Sequence, residues 1–300
     1  MLQLSGILAP VVTPFDSAGE LDADAFAYNV RAHLAAGLHG IVVTGSTGEA
    51  ALLDEDERLR LVEVARAEIP SDRTLLVGTG GESTRVTIAR SRAAAERGAD
   101  GVLVVAPHYY GDAMTPDALR DHYTRVADAS PIPVLLYTIP KYMHFPLPPD
   151  VVASLAKHEN IVGMKDSAGD ADLFRRYVAS RSDRFAVLTG SGTLLSEALR
   201  LGADGAILAV ALFAPALSLE IWNAGPLREG RLADVAPQQS RLSPLAARIV
   251  AGLGVAGVKA ALDAVGLRGG AVRPPLQPLG AAQRASVRDL VQSAELSAVS

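Results

Sequence analysis

The chain has 300 residues, of which 49% are hydrophobic and 20% charged, with a formal net charge of −5 and no cysteine. This length accommodates one large α/β domain with a sizeable core, and a mildly acidic chain without a basic run argues against a nucleic acid partner. Lack of cysteine excludes disulfides, thiolate metal sites and a cysteine nucleophile together.

The six histidines (His33, His39, His108, His122, His144, His158) are dispersed, with no two at metal-ligand spacing on one element, so no metal site is expected. Met1 to Gly6 lacks a basic region followed by a long apolar core, and no apolar run is read as reaching membrane length. A soluble cytoplasmic protein without membrane contact is expected.

Short runs rich in Val, Ile and Leu begin near Ile7, Ile41, Thr74, Val102, Pro133, Ile161, Phe185 and Ala206. They are nearly uniform in apolarity rather than alternating, as expected of parallel strands covered on both faces. Between them lie amphipathic stretches with helix start signals: Asp54 before Glu-Asp-Glu-Arg, Ser83 before Thr-Arg-Val-Thr, and Thr115 before Pro116. Gly37, Gly98 and Gly202 follow three of these stretches and suit left-handed helix ends. Eight strand-helix units in series, with no G-x-G-x-x-G after the first, predict an α/β fold of the closed (β/α)8 TIM-barrel type rather than an open doubly wound sheet. The barrel is expected over residues 1–225. A C-terminal helical segment over 226–300 follows, with helices at Arg228 to Val235, Ser243 to Leu253, Val255 to Val265 and Ala281 to Ala294, packed on the barrel.

A barrel places its chemistry at the C-terminal ends of its strands. The second strand runs into Gly45-Ser46-Thr47-Gly48-Glu49, whose hydroxyls and backbone N–H groups suit a small carboxylate or phosphate, or form a plain turn with local caps. The fourth ends in Pro107-His108-Tyr109-Tyr110 and the fifth in Leu136-Tyr137-Thr138-Ile139-Pro140, where a phenol inside the barrel mouth can relay protons or simply fill space. The sixth carries Lys165 in Ile161-Val162-Gly163-Met164-Lys165-Asp166-Ser167. Only four of the 28 basic residues are lysine, and of the two types only lysine offers an amine that burial can neutralise into a nucleophile. Strict alternation puts Ile161, Gly163 and Lys165 on one face, with a gap at Gly163 below the amine. The seventh ends in Leu188-Thr189-Gly190-Ser191-Gly192, read either as a phosphate cradle or as a tight turn that lets backbone approach a substrate.

Together these motifs resemble the dihydrodipicolinate synthase / N-acetylneuraminate lyase family of class I pyruvate aldolases, over nearly the whole chain. The resemblance implies that Lys165 forms a Schiff base with a small 2-oxo acid and that Tyr137 shuttles protons. It also implies that Ser46 and Thr47 hold the pyruvate carboxylate, where the synthases usually have two threonines. Tyr109 matches a tyrosine that in many members reaches a neighbouring subunit's site, which implies oligomerisation, most often a homotetramer of two tight dimers. Gly190 and Ser191 would line the pocket, and no cofactor is needed beyond the covalent imine on Lys165.

One departure bears on substrate. The synthases carry an arginine shortly after the fifth-strand proline, for the carboxylate of aspartate semialdehyde; here Tyr142 stands in its place, with Lys141 beside it. A phenol cannot form the bidentate pair a carboxylate favours. The stretches Gly80 to Thr84, Tyr123 to Asp128, Gly163 to Ser167 and Arg273 to Leu276 look more like the 4-hydroxy-2-oxoglutarate aldolase branch. The leading expectation is therefore retro-aldol release of pyruvate from a 4-hydroxy-2-oxo acid. Alternatives are dihydrodipicolinate synthesis, cleavage of a 2-keto-3-deoxy sugar acid, a non-catalytic keto-acid-binding barrel, and a phosphate-binding isomerase built on the Gly190 loop.

Overall fold

The computed structural model describes residues 2, 4–224 and 235–296. Eight parallel strands, β1 (Gly6–Pro10), β2 (Gly40–Val43), β3 (Thr74–Gly78), β4 (Gly101–Val105), β5 (Val134–Thr138), β6 (Ile161–Asp166), β7 (Ala186–Thr189) and β8 (Gly205–Ile207), close into a barrel in chain order. Around it run α1 (Ala23–Ala35), α2 (Glu55–Glu68), α3 (Thr84–Glu96), α4 (Pro116–Ala129), the short α5 (Pro140–Met143), α6 (Pro149–Leu155), α7 (Ala171–Val178), α8 (Leu195–Leu201) and α9 (Pro215–Asn223). The expected (β/α)8 barrel is thus observed, every strand within a residue or two of its expected start.

Local chemistry explains the helix boundaries. The Asp54 carboxylate accepts from the Glu57 N–H at 2.8 Å while Glu57 accepts from the Asp54 N–H at 3.0 Å, a reciprocal cap worth about 1 kcal/mol. Ser83 and Thr115 accept from Val86 and Ala118 in the same way, and Gly37, Gly98 and Gly202 all take positive φ where their helices end.

The core has two layers. Leu8, Val42, Leu76, Leu103, Leu135, Leu188 and Ile207 fill the barrel, joined by Leu4 just ahead of β1. Residues of opposite parity, such as Ile7, Ile41, Val43, Val102 and Val104, pack outward against the helices. Both faces of each strand are therefore dry, which is why the strands read as uniform apolar runs.

Strict alternation fails at the start of β6. The β5–β6 register shifts between Val134 and Leu135, so that Val134 pairs with Ile161 but Leu135 pairs with Gly163. This irregularity turns Ile161 outward into the helix layer and Val162 inward, while Lys165 keeps its inward direction. Nor does Gly163 leave a gap: a Cβ there would lie 2.6 Å from the Ala186 carbonyl and 3.3 Å from Leu4 Cδ1. Leu4 already occupies that space.

Beyond the barrel come α10 (Ala236–Leu245), a π-helical turn (Ala246–Ala251), α11 (Gly252–Ala264) and α12 (Ala281–Ser293). The expected boundary at residue 225, and the expected helix from Arg228 up to its last residue, lie outside the described residues. Gly254 interrupts α11 with φ 62° and ψ −149°, near the expected seam between two helices. Contrary to the sequence expectation, one stretch, Ala236–Ala264, is long and apolar enough to cross a membrane by length and composition. It is broken at Gly254, and Leu242, Leu245, Ile249, Val258 and Leu262 bury its apolar side in the main core.

Candidate functional site

Lys165 and Tyr137 are register partners on β6 and β5. Both side chains point into the barrel, where Lys165 Nζ lies 4.4 Å from the centre of the Tyr137 ring. Their residues are only 6% and 4% exposed, so the amine sits in a nearly closed environment with one open side. Among the described residues no carboxylate lies within ion-pairing distance of this Nζ. The amine thus meets an aromatic face and the open side of its environment with no counter-ion beside it.

The chain contains a second buried lysine, and its surroundings are the opposite. Lys259 on α11 is 2% exposed; its Nζ forms an ion pair with Glu49 Oε1 at 2.5 Å and donates to the Ala271 carbonyl. Burial lowers its pKa and the Glu49 carboxylate works against that shift. Glu49 Oε2 accepts from the Arg273 N–H at 2.9 Å, and the Arg273 guanidinium holds Glu57 through two contacts of 2.5 and 2.6 Å. Phe15 is the common floor, with Lys259 Nζ 4.7 Å and Arg273 Cζ 4.0 Å from its ring centre. Sequence reasoning missed this network, although the signal that singled out Lys165, a scarce lysine in an apolar stretch, applied equally to Lys259.

Glu49 closes the turn after β2. Within it Gly48 donates to Gly45 O, Glu49 to Ser46 O and Ala50 to Gly45 O, while the N–H groups of Ser46 and Thr47 have no acceptor among the described residues. Thr13 Oγ1 pins the turn from β1 by donating to Gly48 O at 2.7 Å. Two free N–H groups beside two hydroxyls are the donor set that a small anion takes. The buried ion pair behind them anchors the turn to α11.

Gly190, after β7, lies in close approach to two side chains. A Cβ there would lie 2.8 Å from Lys165 Cε and would overlap Ser167 Oγ. A larger residue requires these side chains to shift. Next to Lys165, Asp166 points away from the barrel interior into a 2% exposed environment where its carboxylate accepts from the Ala168 N–H at 3.0 Å. Burial pushes its pKa up to about 7, against the opposing effect of that hydrogen bond.

These residues line one cavity of about 300 Å3 at the C-terminal ends of the strands. Lys165, Tyr137, Ser46, Thr47, Gly190, Ser191 and Tyr142 all border it, and Tyr109 does not. Tyr109 is 77% exposed and stacks edge-on against Tyr110 at 5.0 Å, on a loop whose His108 and Tyr109 N–H groups both donate to Glu82. The far wall, unforeseen in the sequence, comes from the helical extension through Ala246, Val250, Val255 and Val258. At the rim Tyr142 is 40% exposed, with its pKa raised by desolvation and by the nearby Tyr137, and the exposed Lys141 donates from Nζ to the Ala251 carbonyl at 2.8 Å. Among the described residues no group of His, Asp and Glu side chains is arranged to hold a metal ion.

Comparison with known proteins agrees with this arrangement. Residues 3–294 match the Dihydrodipicolinate synthetase family. The chain is 37% identical over 293 residues to the 4-hydroxy-tetrahydrodipicolinate synthase of Xanthomonas campestris pv. campestris, covering 98% of this chain and 95% of that protein. Among solved structures it resembles a dihydrodipicolinate synthase of Bacillus anthracis, with a TM-score of 0.92 and 29% identity over 98% of this chain and 99% of the other. It also resembles an E. coli K12 prophage protein of the dihydrodipicolinic acid synthase family, solved with pyruvate, with a TM-score of 0.90 and 31% identity over 98% and 100% of the two chains. The chain therefore belongs to the dihydrodipicolinate synthetase family and is a carbon–carbon lyase of the class that handles pyruvate as a lysine imine, without a cofactor.

Proposed function

We propose that Lys165 is the imine-forming lysine and that this protein joins pyruvate to an aldehyde, or releases it from the corresponding aldol. The observation that carries the assignment is the contrast between the two buried lysines: Lys259 is neutralised by Glu49, whereas Lys165 is unpaired and faces the cavity beside Tyr137. The neutral amine adds to the keto carbon, and loss of water gives an iminium. Removal of a methyl proton then yields an enamine, which attacks the aldehyde carbon, and the resulting alkoxide takes a proton. Tyr137 is the group placed to move these protons, and the Ser46 and Thr47 N–H groups are placed to hold the pyruvate carboxylate. Gly190 and Ser191 border the same space.

Relatives named as 4-hydroxy-tetrahydrodipicolinate synthases favour aspartate semialdehyde as the aldehyde, ahead of the 4-hydroxy-2-oxoglutarate cleavage expected from the sequence. The second reading keeps one observation in its favour, Tyr142 at the place of the synthase arginine. The exposed Tyr109–Tyr110 pair supports assembly with a second copy, Tyr109 completing the neighbour's site in a homotetramer. Reduction with borohydride in the presence of pyruvate, followed by peptide mapping, tests the core of the proposal. The adduct is expected on Lys165; none, or one on Lys259 alone, overturns it. A panel of aspartate semialdehyde plus pyruvate, 4-hydroxy-2-oxoglutarate and 2-keto-3-deoxy sugar acids then ranks the reactions.

A further inference from the structure

Both leading aldehyde partners, aspartate semialdehyde and the glyoxylate released from 4-hydroxy-2-oxoglutarate, carry a carboxylate, yet the arginine that would receive it is replaced by Tyr142. We propose that Lys141 receives the distal carboxylate of the aldehyde partner, so that the enzyme selects acidic aldehydes through a lysine on the neighbouring residue. This assignment rests on Lys165 being the imine lysine.

Four observations converge on it. Among the described residues bordering the cavity, Lys165 and Lys141 are the only cations, and none is a carboxylate. With Lys165 committed to the imine, Lys141 is the remaining charge that an anion entering the cavity can meet. Second, the Lys141 ammonium is held by a neutral group, the Ala251 carbonyl at 2.8 Å. An ammonium has three N–H donors, so a carboxylate gains a charge-assisted bond without having to displace an existing anion.

Third, that carbonyl lies just before the interruption at Gly254. Carbonyls preceding a helix break lose their regular donors, and Lys141 reaches one of them from α5 across the rim. The tether joins α5 to the helical extension, so this exposed ammonium is held at the mouth. Fourth, the next residue, Tyr142, borders the same cavity as Tyr137 and Lys165. The pair Lys141–Tyr142 therefore borders the space that the amine faces, and Val250 and Val255 add apolar surface to its wall. In this arrangement Tyr142 offers a neutral donor and Lys141 the charge, where a single guanidinium would supply both.

The test compares wild type with Lys141→Met and Lys141→Arg, using pyruvate with either a carboxylate-bearing aldehyde (aspartate semialdehyde, glyoxylate) or an uncharged one (propanal). Borohydride trapping of pyruvate on Lys165 is run in parallel on each protein. The expected result is a drop of about 10- to 100-fold in the ratio of kcat/KM for the acidic over the neutral aldehyde in Lys141→Met, the size of one lost charge-assisted bond. It should arise in KM, with Lys141→Arg retaining most of the preference and all three proteins trapping pyruvate. Equal losses for acidic and neutral aldehydes would mean that Lys141 merely ties the rim together, and would overturn the proposal. So would a wild type that prefers propanal. Absence of the Lys165 adduct in wild type removes the imine assignment itself and is recognised separately. Should Lys141→Met fold poorly, Lys141→Gln keeps a donor for the Ala251 carbonyl without the charge, and the same drop in ratio is required of it.

Discussion

Replacing Lys259 with methionine removes the cation from a pair whose side chains are 2% and 0% exposed. Methionine preserves most of the volume, so the loss is electrostatic. Glu49 Oε1 is left without its counter-charge in a dry site, Glu49 Oε2 keeps only the Arg273 N–H, and the Ala271 carbonyl loses its donor. Breaking one side of a buried pair costs about 3–5 kcal/mol, a large part of a typical domain's total of about 5–15 kcal/mol. Lys165→Met is the matched control: the same substitution at another buried lysine, but with no carboxylate stranded, and it is expected to cost less than about 1 kcal/mol or to stabilise. The two variants should thus separate cleanly. Urea unfolding followed by far-UV circular dichroism should show a much lower midpoint with unchanged slope for Lys259→Met and a near wild-type midpoint for Lys165→Met. Pyruvate and borohydride should still label Lys259→Met, at Lys165, and should fail to label Lys165→Met. Adding Glu49→Gln to Lys259→Met should recover part of the lost stability, because the stranded charge is gone. Equal destabilisation by both single substitutions, or labelling of Lys259 in the Lys165 variant, would refute the division of roles between the two lysines.

Three further outcomes follow from the site. Gly190→Ala places a methyl against Lys165 Cε and Ser167 Oγ, and should reduce the rate of pyruvate trapping at least about tenfold, the consequence of displacing a reacting group by about an ångström; a normal trapping rate would show that the amine has room to move. Asp166 has a folded-state pKa raised to about 7 from the ordinary carboxylate value of 3.8, so the folded state holds its proton longer than the unfolded chain. Its contribution to stability is accordingly present in full below that lower value and is lost as pH rises to about 7, at up to about 1.4 kcal/mol per pH unit. The wild type minus Asp166→Asn difference in unfolding free energy, measured from pH 4 to 8, should fall across that window and level off above it. Tyr109→Ala removes a 77% exposed side chain and should change monomer stability by no more than about 0.5 kcal/mol. Turnover should nonetheless fall, together with any weakening of assembly seen by sedimentation, if Tyr109 serves a neighbouring copy.

The barrel was legible because its determinants are local. Parallel strands dry on both faces are uniformly apolar whatever they pair with, and Asp54, Ser83, Thr115 and Gly202 mark helix ends through their own backbone bonds. The position of Lys165 relative to Tyr137 was also accessible, because both fall near the ends of adjacent strands. What stayed hidden depends on partners distant in sequence. The irregular start of β6 is set by its pairing with β5, and Val162 is as apolar as Ile161, so nothing in the stretch itself announces which one faces inward. Ser243-Pro244 has the pattern of a helix cap followed by a first-turn proline, yet α10 begins at Ala236 and carries Pro244 inside it, ahead of the π-helical turn. Lys259 could not be told from Lys165 because its partner Glu49 lies at the opposite end of the chain. The far wall of the cavity was missed for the same reason: Val250, Val255 and Val258 read as ordinary core positions until the helix is laid over the barrel mouth.

Val258 and Lys259 are consecutive residues on α11 with different destinations, Val258 to the cavity and Lys259 to Glu49. One helix therefore carries both a fastening and a selective surface, on faces that do not overlap. Substitutions at Val250, Val255 or Val258 would reshape the cavity while the Glu49 anchor keeps the helix, and the Ser46–Thr47 turn with it, in register. Such a scaffold can vary its cavity by single steps without disturbing Lys165 on β6. The same geometry makes the helical extension, rather than the barrel strands, the place to begin when redesigning the cavity of this enzyme.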